Sequence, residues 1–529
     1  MNWFALTPLK DLPPPVFTDA TGAHAWLAQA RREPARFVSV LIEQLDRLQS
    51  APLSGINRAP VLETLRQEAI NAVVAARPGF ANQPRPLPPR PFTAFSDNQR
   101  LLGSLTTGYL QCTEEFVATE NIDPNWIAVA AHRAMVGLKL AIEDHFLAGM
   151  EAPALLWQRA FSLVRMTQTL GIQGITVADP VFSDLGQSTV AQLYAMLSLT
   201  ALADPYGIGR AEYTMIARLV ARWRDLPTIT AATHDEDDKK RWVNLRMLEA
   251  PAKAAAKEPA WMEVSQVRSK LRKRIEALQA GESPESLHLG REIDAAHALA
   301  ALERLRRKLK EAYDPSHAQQ SQLGGESIFL TCGIDEGYSL ITGTRYNANP
   351  KAGAGADRML NERMAIFGRH SVIQSLAGDK PKFGDEWALS AQFNNHLRIV
   401  NSIDSVHSPL APGLLVAFKQ GEAFHLGRLT RTVIRQNGKM EVSLTKLLGE
   451  PKATESHTLG STNQLRYPML LLSAVPEIKQ PMIGLLPSGA EVAPKQAMGT
   501  NLAGAQQLVL GPVLDRGPNY DAYRIDSAR

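Results

Sequence analysis

The sequence predicts a multidomain α+β protein: an all-α helical N-terminal region is followed by an antiparallel β-barrel and a C-terminal β extension. Two observations indicate this order. Before residue 314, apolar residues recur at helical spacing, whereas after Asp314-Pro315 short runs rich in β-branched and aromatic residues alternate with Gly, Asn and Pro. The length of 529 residues leaves room for several domains, since a domain takes ~150 residues.

The composition is that of a globular protein. Hydrophobic residues make up 45% of the chain and charged residues 21%, which excludes whole-chain disorder and collagen-like repeats. The net charge of +4 is too dilute to indicate nucleic-acid binding by itself. Cys112 and Cys332 are the only cysteines, so the sequence predicts neither a zinc ribbon nor a redox pair.

No targeting or membrane segment is predicted. The most apolar run, residues 468–475, is far shorter than the ~20 residues that a spanning helix needs. The N-terminus has neither the basic start nor the cleavage site of a secretory signal. We therefore expect a cytoplasmic protein.

Residues 1–91 are predicted as an N-terminal helical segment that ends in a proline-rich connector. In residues 36–50 the apolar positions are spaced by four, four and three residues, as in one buried helical stripe, and residues 61–75 repeat the pattern. Six prolines between residues 77 and 91 predict a stiff connector, because proline lacks the amide hydrogen.

Residues 92–235 are predicted as a helical bundle and residues 236–313 as a long helical hairpin. Asp123-Pro124 has the residue types of a helix N-cap and first turn. A polar joint at 233–240 separates the bundle from the hairpin. The helices of the bundle are predicted at 98–118, 126–147, 153–170, 188–202 and 210–224, and those of the hairpin at 259–280 and 289–313.

Residues 314–455 are predicted as the barrel, with an inserted loop at 345–386, and residues 456–529 as the β extension. Gln436-Asn437-Gly438 predicts a hairpin turn. The predicted strands of both parts are 327–332, 397–400, 414–418, 423–428, 432–435, 440–445, 468–475, 482–486, 507–513 and 520–525.

Candidate metal and phosphate sites all have a structural interpretation. Glu143, Asp144 and His145, together with His132, are metal-ligand residue types, but the spacing of the two histidines does not place them on one helical face. Residues 234–238 lack the glycine and glutamate of a calcium loop. The glycines of residues 352–356 lack a phosphate-binding lysine at the required offset. No catalytic motif was found, so we expect a protein that is not an enzyme and holds no metal or cofactor.

The two helices of the hairpin are rich in basic residues between positions 267 and 310. Phosphate binding would make the chain a nucleic-acid-binding protein, but no aromatic residues are interleaved to stack on bases. A solvated helix face with neighbouring glutamates is the simpler interpretation.

Several short stretches occur in an order that resembles one family. They are Ala201-Leu202-Ala203-Asp204-Pro205-Tyr206, residues 281–290, Gly333-Ile334, residues 413–416, Leu426-Gly427-Arg428 and residues 517–524. Together they resemble bacterial cyclic di-GMP-binding proteins with a long helical N-terminal region and a C-terminal PilZ domain. The resemblance implies a PilZ-like barrel, cyclic di-GMP as a ligand, and a role in surface attachment, type IV pili or motility.

In the family that the chain resembles, two motifs hold the ligand, and both are replaced here. The family has an Arg-x-x-x-Arg pair on the segment that enters the barrel, where this sequence has His317 and Ser321. It has Asp/Asn-x-Ser-x-x-Gly on an early strand, where this sequence has Ala391, Phe393 and His396. Arginine suits the ligand because its guanidinium forks onto phosphate or guanine.

Three hypotheses follow. The first is a regulatory protein with a degenerate nucleotide site that acts through protein partners bound to its helical region. The second is a true cyclic di-GMP receptor that uses replacement cations, namely Arg345, Arg358, Arg363, Arg369 and Arg398. The third is a nucleic-acid-binding protein that uses the basic helices at 267–310.

Overall fold

The computed structural model describes residues 3–7, 12–230, 241–245, 261–311, 326–346, 384–459, 465–502 and 505–528. The chain divides into two compact units. The first, the helical unit, comprises Met1–Asn82 and Pro89–Gln319; the second, the barrel unit, comprises Gln83–Pro88 and Gln320–Arg529. The multidomain α+β fold class is confirmed, while the finer boundaries at 91, 235, 313 and 455 stay predictions.

The helical unit is built from ten helices within the described residues. They are α1 (Ala20–Ala30), α2 (Pro34–Ser50), α3 (Gly55–Ala76), α4 (Pro89–Ala118), α5 (Pro124–Ala148), α6 (Ala154–Thr169), α7 (Val190–Leu202), α8 (Arg210–Arg222), α9 (Ser265–Gln279) and α10 (Ala295–Glu311). Short strands lie between them: β1 (Val177–Ala178), β2 (Gln187–Ser188), β3 (Thr228–Thr230), β4 (Trp242–Asn244) and β5 (Trp261–Glu263).

Local sequence signals explain where these helices begin and end. The Asp123 side chain caps α5 by accepting from the backbone N–H of Asn125, and Gly149 ends that helix in the left-handed conformation. Thr189 and Gln192 form a reciprocal capping box at the start of α7. The stripe predicted for residues 36–50 is buried in α2 through Leu41, Leu45 and Leu48.

The structure corrects three details of the helical prediction. Helix α1 was not predicted. The predicted connector ends before Pro89, because prolines are tolerated in the first turn of α4, where no intrahelical N–H is needed. Helices α9 and α10 are shorter than predicted, since β5 occupies 261–263 and the polar residues between Gln279 and Ala295 form turns.

The barrel unit begins with a closed antiparallel barrel, here called the first barrel. Its strands are β6 (Ser327–Cys332), β7 (Asp385–Phe393), β8 (His396–Ser402), β9 (Leu415–Gln420), β10 (Ala423–Ile434) and β11 (Lys439–Lys446), in the spatial order β10-β11-β8-β7-β6-β9. The predicted turn at 436–438 joins β10 to β11. The two strands predicted at 423–428 and 432–435 are one strand, β10, with a register shift between Leu429 and Arg431.

The predicted β extension closes into a second barrel. Its strands are β12 (Pro451–Thr458), β13 (Arg466–Leu472), β14 (Ile483–Leu486), β15 (Ala497–Leu502), β16 (Ala505–Gly517) and β17 (Tyr520–Ala528). Strand β12 was not predicted because its buried positions are small and polar: Thr454, Ser456 and Thr458 face the interior. Strand β15 was also not predicted.

One further helix, α11 (Ile334–Thr342), contributes to the core between the two barrels. Its Ile334 clusters with Leu415 of β9, Leu470 of β13 and Leu485 of β14. Residues 83–88 join this unit through a bridge between Arg85 and Leu410. Among the helices that the structure describes, none is long and apolar enough to cross a membrane.

Candidate ligand-binding face of the first barrel

The hairpin of β7 and β8 carries four of the residues predicted from the sequence. Ala391 pairs with Arg398 and Phe393 pairs with His396 across the two strands. Because side chains alternate along a strand and Leu397 and Ile399 are buried, His396 and Arg398 face outward, as do their partners. The Phe393 ring is 74% exposed. The structure therefore brings these four residues together on the outer surface.

The remaining predicted residues do not join this hairpin in the described structure. His317, Ser321, Arg358, Arg363 and Arg369 lie outside the described residues. Arg345 follows α11 and lies next to Tyr346, whose ring centroid is 5.7 Å from that of Tyr338 on α11. It therefore occupies a part of the barrel unit other than the β7–β8 hairpin.

Two further arginines meet Arg398 on the outer surface of the first barrel. Arg431 Nη1 donates to Glu441 Oε1 at 2.6 Å, and Arg435 Nη2 donates to Oε2 of the same carboxylate at 2.8 Å. Arg398 Nε lies 3.8 Å from Glu441 Oε1. We call these four residues the arginine face: Arg398 lies on β8, Arg431 on β10, Arg435 directly after β10 and Glu441 on β11.

The electrostatics of the arginine face favour anions. The Arg398, Arg431 and Arg435 side chains are 37%, 19% and 27% exposed, and Glu441 is 12% exposed. Burial alone would raise the pKa of Glu441, but the three guanidinium groups outweigh burial and hold its pKa below the ordinary value. Three guanidinium groups therefore converge on the carboxylate of Glu441 in a half-buried setting.

Arg431, Arg435 and Glu441 were missed in the sequence analysis. The signal was present, since residues 431–435 read Arg-x-x-x-Arg, the spacing that was sought only in the segment entering the barrel. Arg435 follows directly after β10 and still donates its backbone N–H to Lys439, so the alternation continues and both arginines lie on the same side. Strand pairing then places Glu441 opposite Val433, between them.

The groups on this surface suit a nucleotide. Guanidinium groups can fork onto phosphate or the O6/N7 edge of guanine. An exposed aromatic ring can stack on a base, and Phe393 offers one on the neighbouring hairpin. The His396 ring is oriented by a hydrogen bond between Nδ1 and Thr445 Oγ1 at 2.9 Å.

The helical unit holds its candidate metal-ligand residues in structural roles. His132 Nε2 lies 2.9 Å from Ser188 Oγ, and His145 Nδ1 donates to the Ala141 carbonyl at 2.8 Å. Burial lowers the pKa of each imidazole to about 4. No cluster of metal-ligand side chains occurs among the described residues. The acidic stretch 234–238 and the glycine-bearing stretch 352–356 lie outside them.

Basic residues of α9 and α10 are engaged in contacts within the helical unit. Arg268 donates to the Leu309 carbonyl and Arg304 to the Gly207 carbonyl. Arg272 and Arg306 pair with glutamates on their own helices. These contacts account for four of the basic residues, and the nucleic-acid hypothesis stays a prediction.

The comparisons with known proteins bear on the helical unit. Residues 21–234 match the model of a protein family described as the N-terminal domain of the cyclic-di-GMP receptor FimW. The match runs from α1 to beyond α8 and covers less than half of the chain. No curated protein and no solved structure matches the chain. Over residues 21–234, the chain is thus similar to the N-terminal domain of a cyclic-di-GMP receptor family.

Proposed function

We propose that this chain is a non-enzymatic, cytoplasmic regulatory protein that binds cyclic di-GMP on the arginine face of a PilZ-like first barrel. The observation that carries the proposal is the convergence of Arg398, Arg431 and Arg435 on the single carboxylate of Glu441. The similarity of residues 21–234 to a receptor of this ligand supports it independently. A role in surface attachment or type IV pili, as the family resemblance implies, belongs to the same proposal.

The charge of the arginine face complements the ligand. Cyclic di-GMP carries two phosphodiesters, and the arginine face offers three guanidinium groups that can donate to them. Phosphate or guanine oxygens would replace the carboxylate as acceptors.

This proposal moves the site away from the segment that enters the barrel. His317 and Ser321 replace the arginine pair of the family that the chain resembles. Arg431 on β10 and Arg435 directly after it supply the same residue type at the same spacing. The alternative is a scaffold with a degenerate site that acts only through protein partners of its helical region.

Calorimetric titration of the full chain with cyclic di-GMP separates the two hypotheses. GTP and cyclic di-AMP serve as ligand controls. Arg431→Gln and Arg435→Gln should each weaken binding by ~10-fold or more, because a hydrogen bond to a charged group is worth about 1.5–3 kcal/mol. The matched control is Arg428→Gln on the same strand, whose side chain pairs with Asp515. Absence of heat with the wild-type chain would favour the scaffold.

A further inference from the structure

One end of the first barrel is closed by polar side chains that the proposed site does not use. Along β11, the inward positions Met440, Val442 and Leu444 are fully buried, and the next inward position is Lys446. Lys446 pairs with Gly427 of β10, where an added side chain would meet Leu444 and Phe418. The lysine therefore lies above the apolar interior of the barrel.

The ammonium group of Lys446 has an uncharged partner. Lys446 Nζ lies 3.1 Å from His425 Nε2, and the ammonium can only donate, so the imidazole accepts and is neutral. The ring centroid of His425 lies 5.3 Å from that of Phe418, which is fully buried. The His425 ring thus packs against the apolar interior of the barrel.

Two glutamines lie at the same end of the barrel as this pair. We call the group Gln392, Gln420, His425 and Lys446 the barrel mouth. Gln420 Nε2 donates to Gln392 Oε1 at 3.1 Å and to Glu326 Oε2 at 3.4 Å. The carboxylate at this end of the barrel, that of Glu326, therefore contacts Gln420. Within the described residues, Lys446 has no carboxylate partner, and burial is what lowers its pKa.

A half-buried cation without a counter-ion costs free energy unless a ligand supplies the missing charge. We propose that the barrel mouth binds a phosphate-type anion, with Lys446 as the charged donor, His425 beside it and the glutamine amides as adaptable hydrogen-bonding groups. The site is separate from the arginine face, because Lys446 and His425 point inward whereas Arg398 and Glu441 point outward.

The geometry also makes the site sensitive to pH. Burial and the neighbouring Lys446 lower the pKa of His425. His425 is faced by Lys446 from β11 and by Phe418 from β9. Gln420 of β9 donates to Gln392 of β7 and to Glu326 at the same end of the barrel. Protonation of His425 would place two cations side by side, so anion binding tightens as pH falls.

The test uses dimethyl phosphate, whose charge does not change near neutral pH, and inorganic phosphate as probes. Binding to the full chain is followed by calorimetry and by NMR of labelled histidines at constant ionic strength. We expect Lys446→Gln to weaken binding of both probes by ~10-fold or more. The matched control is Lys419→Gln, which removes a half-exposed lysine paired with Glu422 on the same barrel. Absence of saturable binding to the wild-type chain, or equal losses in both variants, would overturn the proposal.

Two further variants make the test independent of folding defects and of the proposed function. His425→Gln keeps the lysine and should retain binding while losing its pH dependence; full retention of the pH dependence would overturn the role of His425. Cyclic di-GMP titrations of Lys446→Gln and Arg431→Gln then identify the source of the anion. If Lys446→Gln loses only the small probes, the mouth holds free phosphate. If it also weakens cyclic di-GMP, the mouth holds a phosphodiester of the dinucleotide.

Discussion

Arg66 of α3 and Asp179, which follows β1, form a two-pronged ion pair in the interior of the helical unit. Arg66 Nη1 donates to Asp179 Oδ1 at 2.8 Å and Nη2 donates to Oδ2 at 2.6 Å. Both side chains are only 2% exposed. Arg133 of α5 lies 3.6 Å from the same carboxylate and also donates to Glu63. One carboxylate thus joins the two helices to the segment after β1.

The first prediction concerns this ion pair. Asp179→Asn should lower the free energy of unfolding by about 3–5 kcal/mol, because it leaves a buried guanidinium without its counter-charge. The matched control is Glu68→Gln, which removes a carboxylate paired with the half-exposed Arg31 and should cost about 1 kcal/mol or less. Urea unfolding followed by helical circular dichroism measures both, and equal effects would contradict the assigned role of Asp179.

The second prediction concerns acid stability. His132 and His145 have pKa values of about 4 in the folded chain against an ordinary value of 6.5. As pH falls, these histidines are therefore protonated in the unfolded chain before they are protonated in the folded chain. The free energy of unfolding decreases between about pH 6.5 and about pH 4, by on the order of 3 kcal/mol for each histidine. Asp144, whose pKa burial raises to about 6 despite Arg77, takes up a proton first in the folded state and offsets part of this loss.

His145→Phe isolates one contribution to that pH dependence. It removes a titrating ring whose edge-on neighbour is Phe95, and should flatten the fall in unfolding free energy between about pH 6.5 and about pH 4. A His145→Phe variant with the wild-type slope would show that His145 does not titrate differently in the two states.

The third prediction concerns the packing of α4 against α5. A Cβ added at Gly137 would overlap Thr106 Oγ1 and lie 3.2 Å from Thr106 Cβ. Gly137→Ala should therefore destabilise the helical unit by about 1–3 kcal/mol through overpacking. Gly103→Ala on α4 meets nothing within 4 Å and should stabilise it by roughly 0.5–1 kcal/mol, because alanine is the better helix former. Thermal unfolding midpoints that shift in the same direction for both would refute this.

The fourth prediction concerns Glu441 of the arginine face. Glu441→Gln should lower the unfolding free energy by about 1–3 kcal/mol, because the ligand-free arginines lose their charged acceptor. The same change should tighten cyclic di-GMP binding, since the ligand no longer competes with the carboxylate for Arg431 and Arg435. Calorimetry against the control Glu422→Gln, on the exposed turn after β9, measures the effect. Weaker binding by Glu441→Gln would argue against the arginine face as the ligand site.

The fifth prediction concerns the two cysteines. Burial raises the pKa of Cys112 and of Cys332 to about 12. Since the thiolate is the reactive form, neither residue should react with a thiol reagent near neutral pH in the folded protein, while both should react after denaturation. Rapid labelling of the native chain would show that one of these sites opens to solvent.

Much of the architecture follows from local patterns. The stripe of Leu41, Leu45 and Leu48 predicted α2, and the turn at 436–438 predicted the hairpin of β10 and β11. Strand β12 escaped prediction because Thr454, Ser456 and Thr458 pack inward without an apolar signal. The hydrophobic periodicity of a helix or strand is a pattern among residues a few positions apart. It can therefore be recognised in the sequence wherever the buried residues are also the hydrophobic ones.

The candidate site was only partly predictable. Arg398, Phe393 and His396 were named from the sequence, and the structure places them on one outer surface. Arg431 and Arg435 have the Arg-x-x-x-Arg spacing, but the local sequence does not show that this pair lies at a binding surface. Their common acceptor, Glu441, could not be assigned before the pairing of β10 and β11 was known.

The sequence by itself determined the order of a helical region and a β region, because hydrophobic periodicity and turn residues act over a few positions. Only the tertiary structure decided which charges meet. Arg66 pairs with Asp179, which lies 113 positions later in the chain. The order of the strands brings Arg398, Arg431 and Arg435 to Glu441. The register of β11 turns Lys446 inward toward His425. The free energy of a charge depends on its distance to other charges and on its burial, and long-range folding sets both.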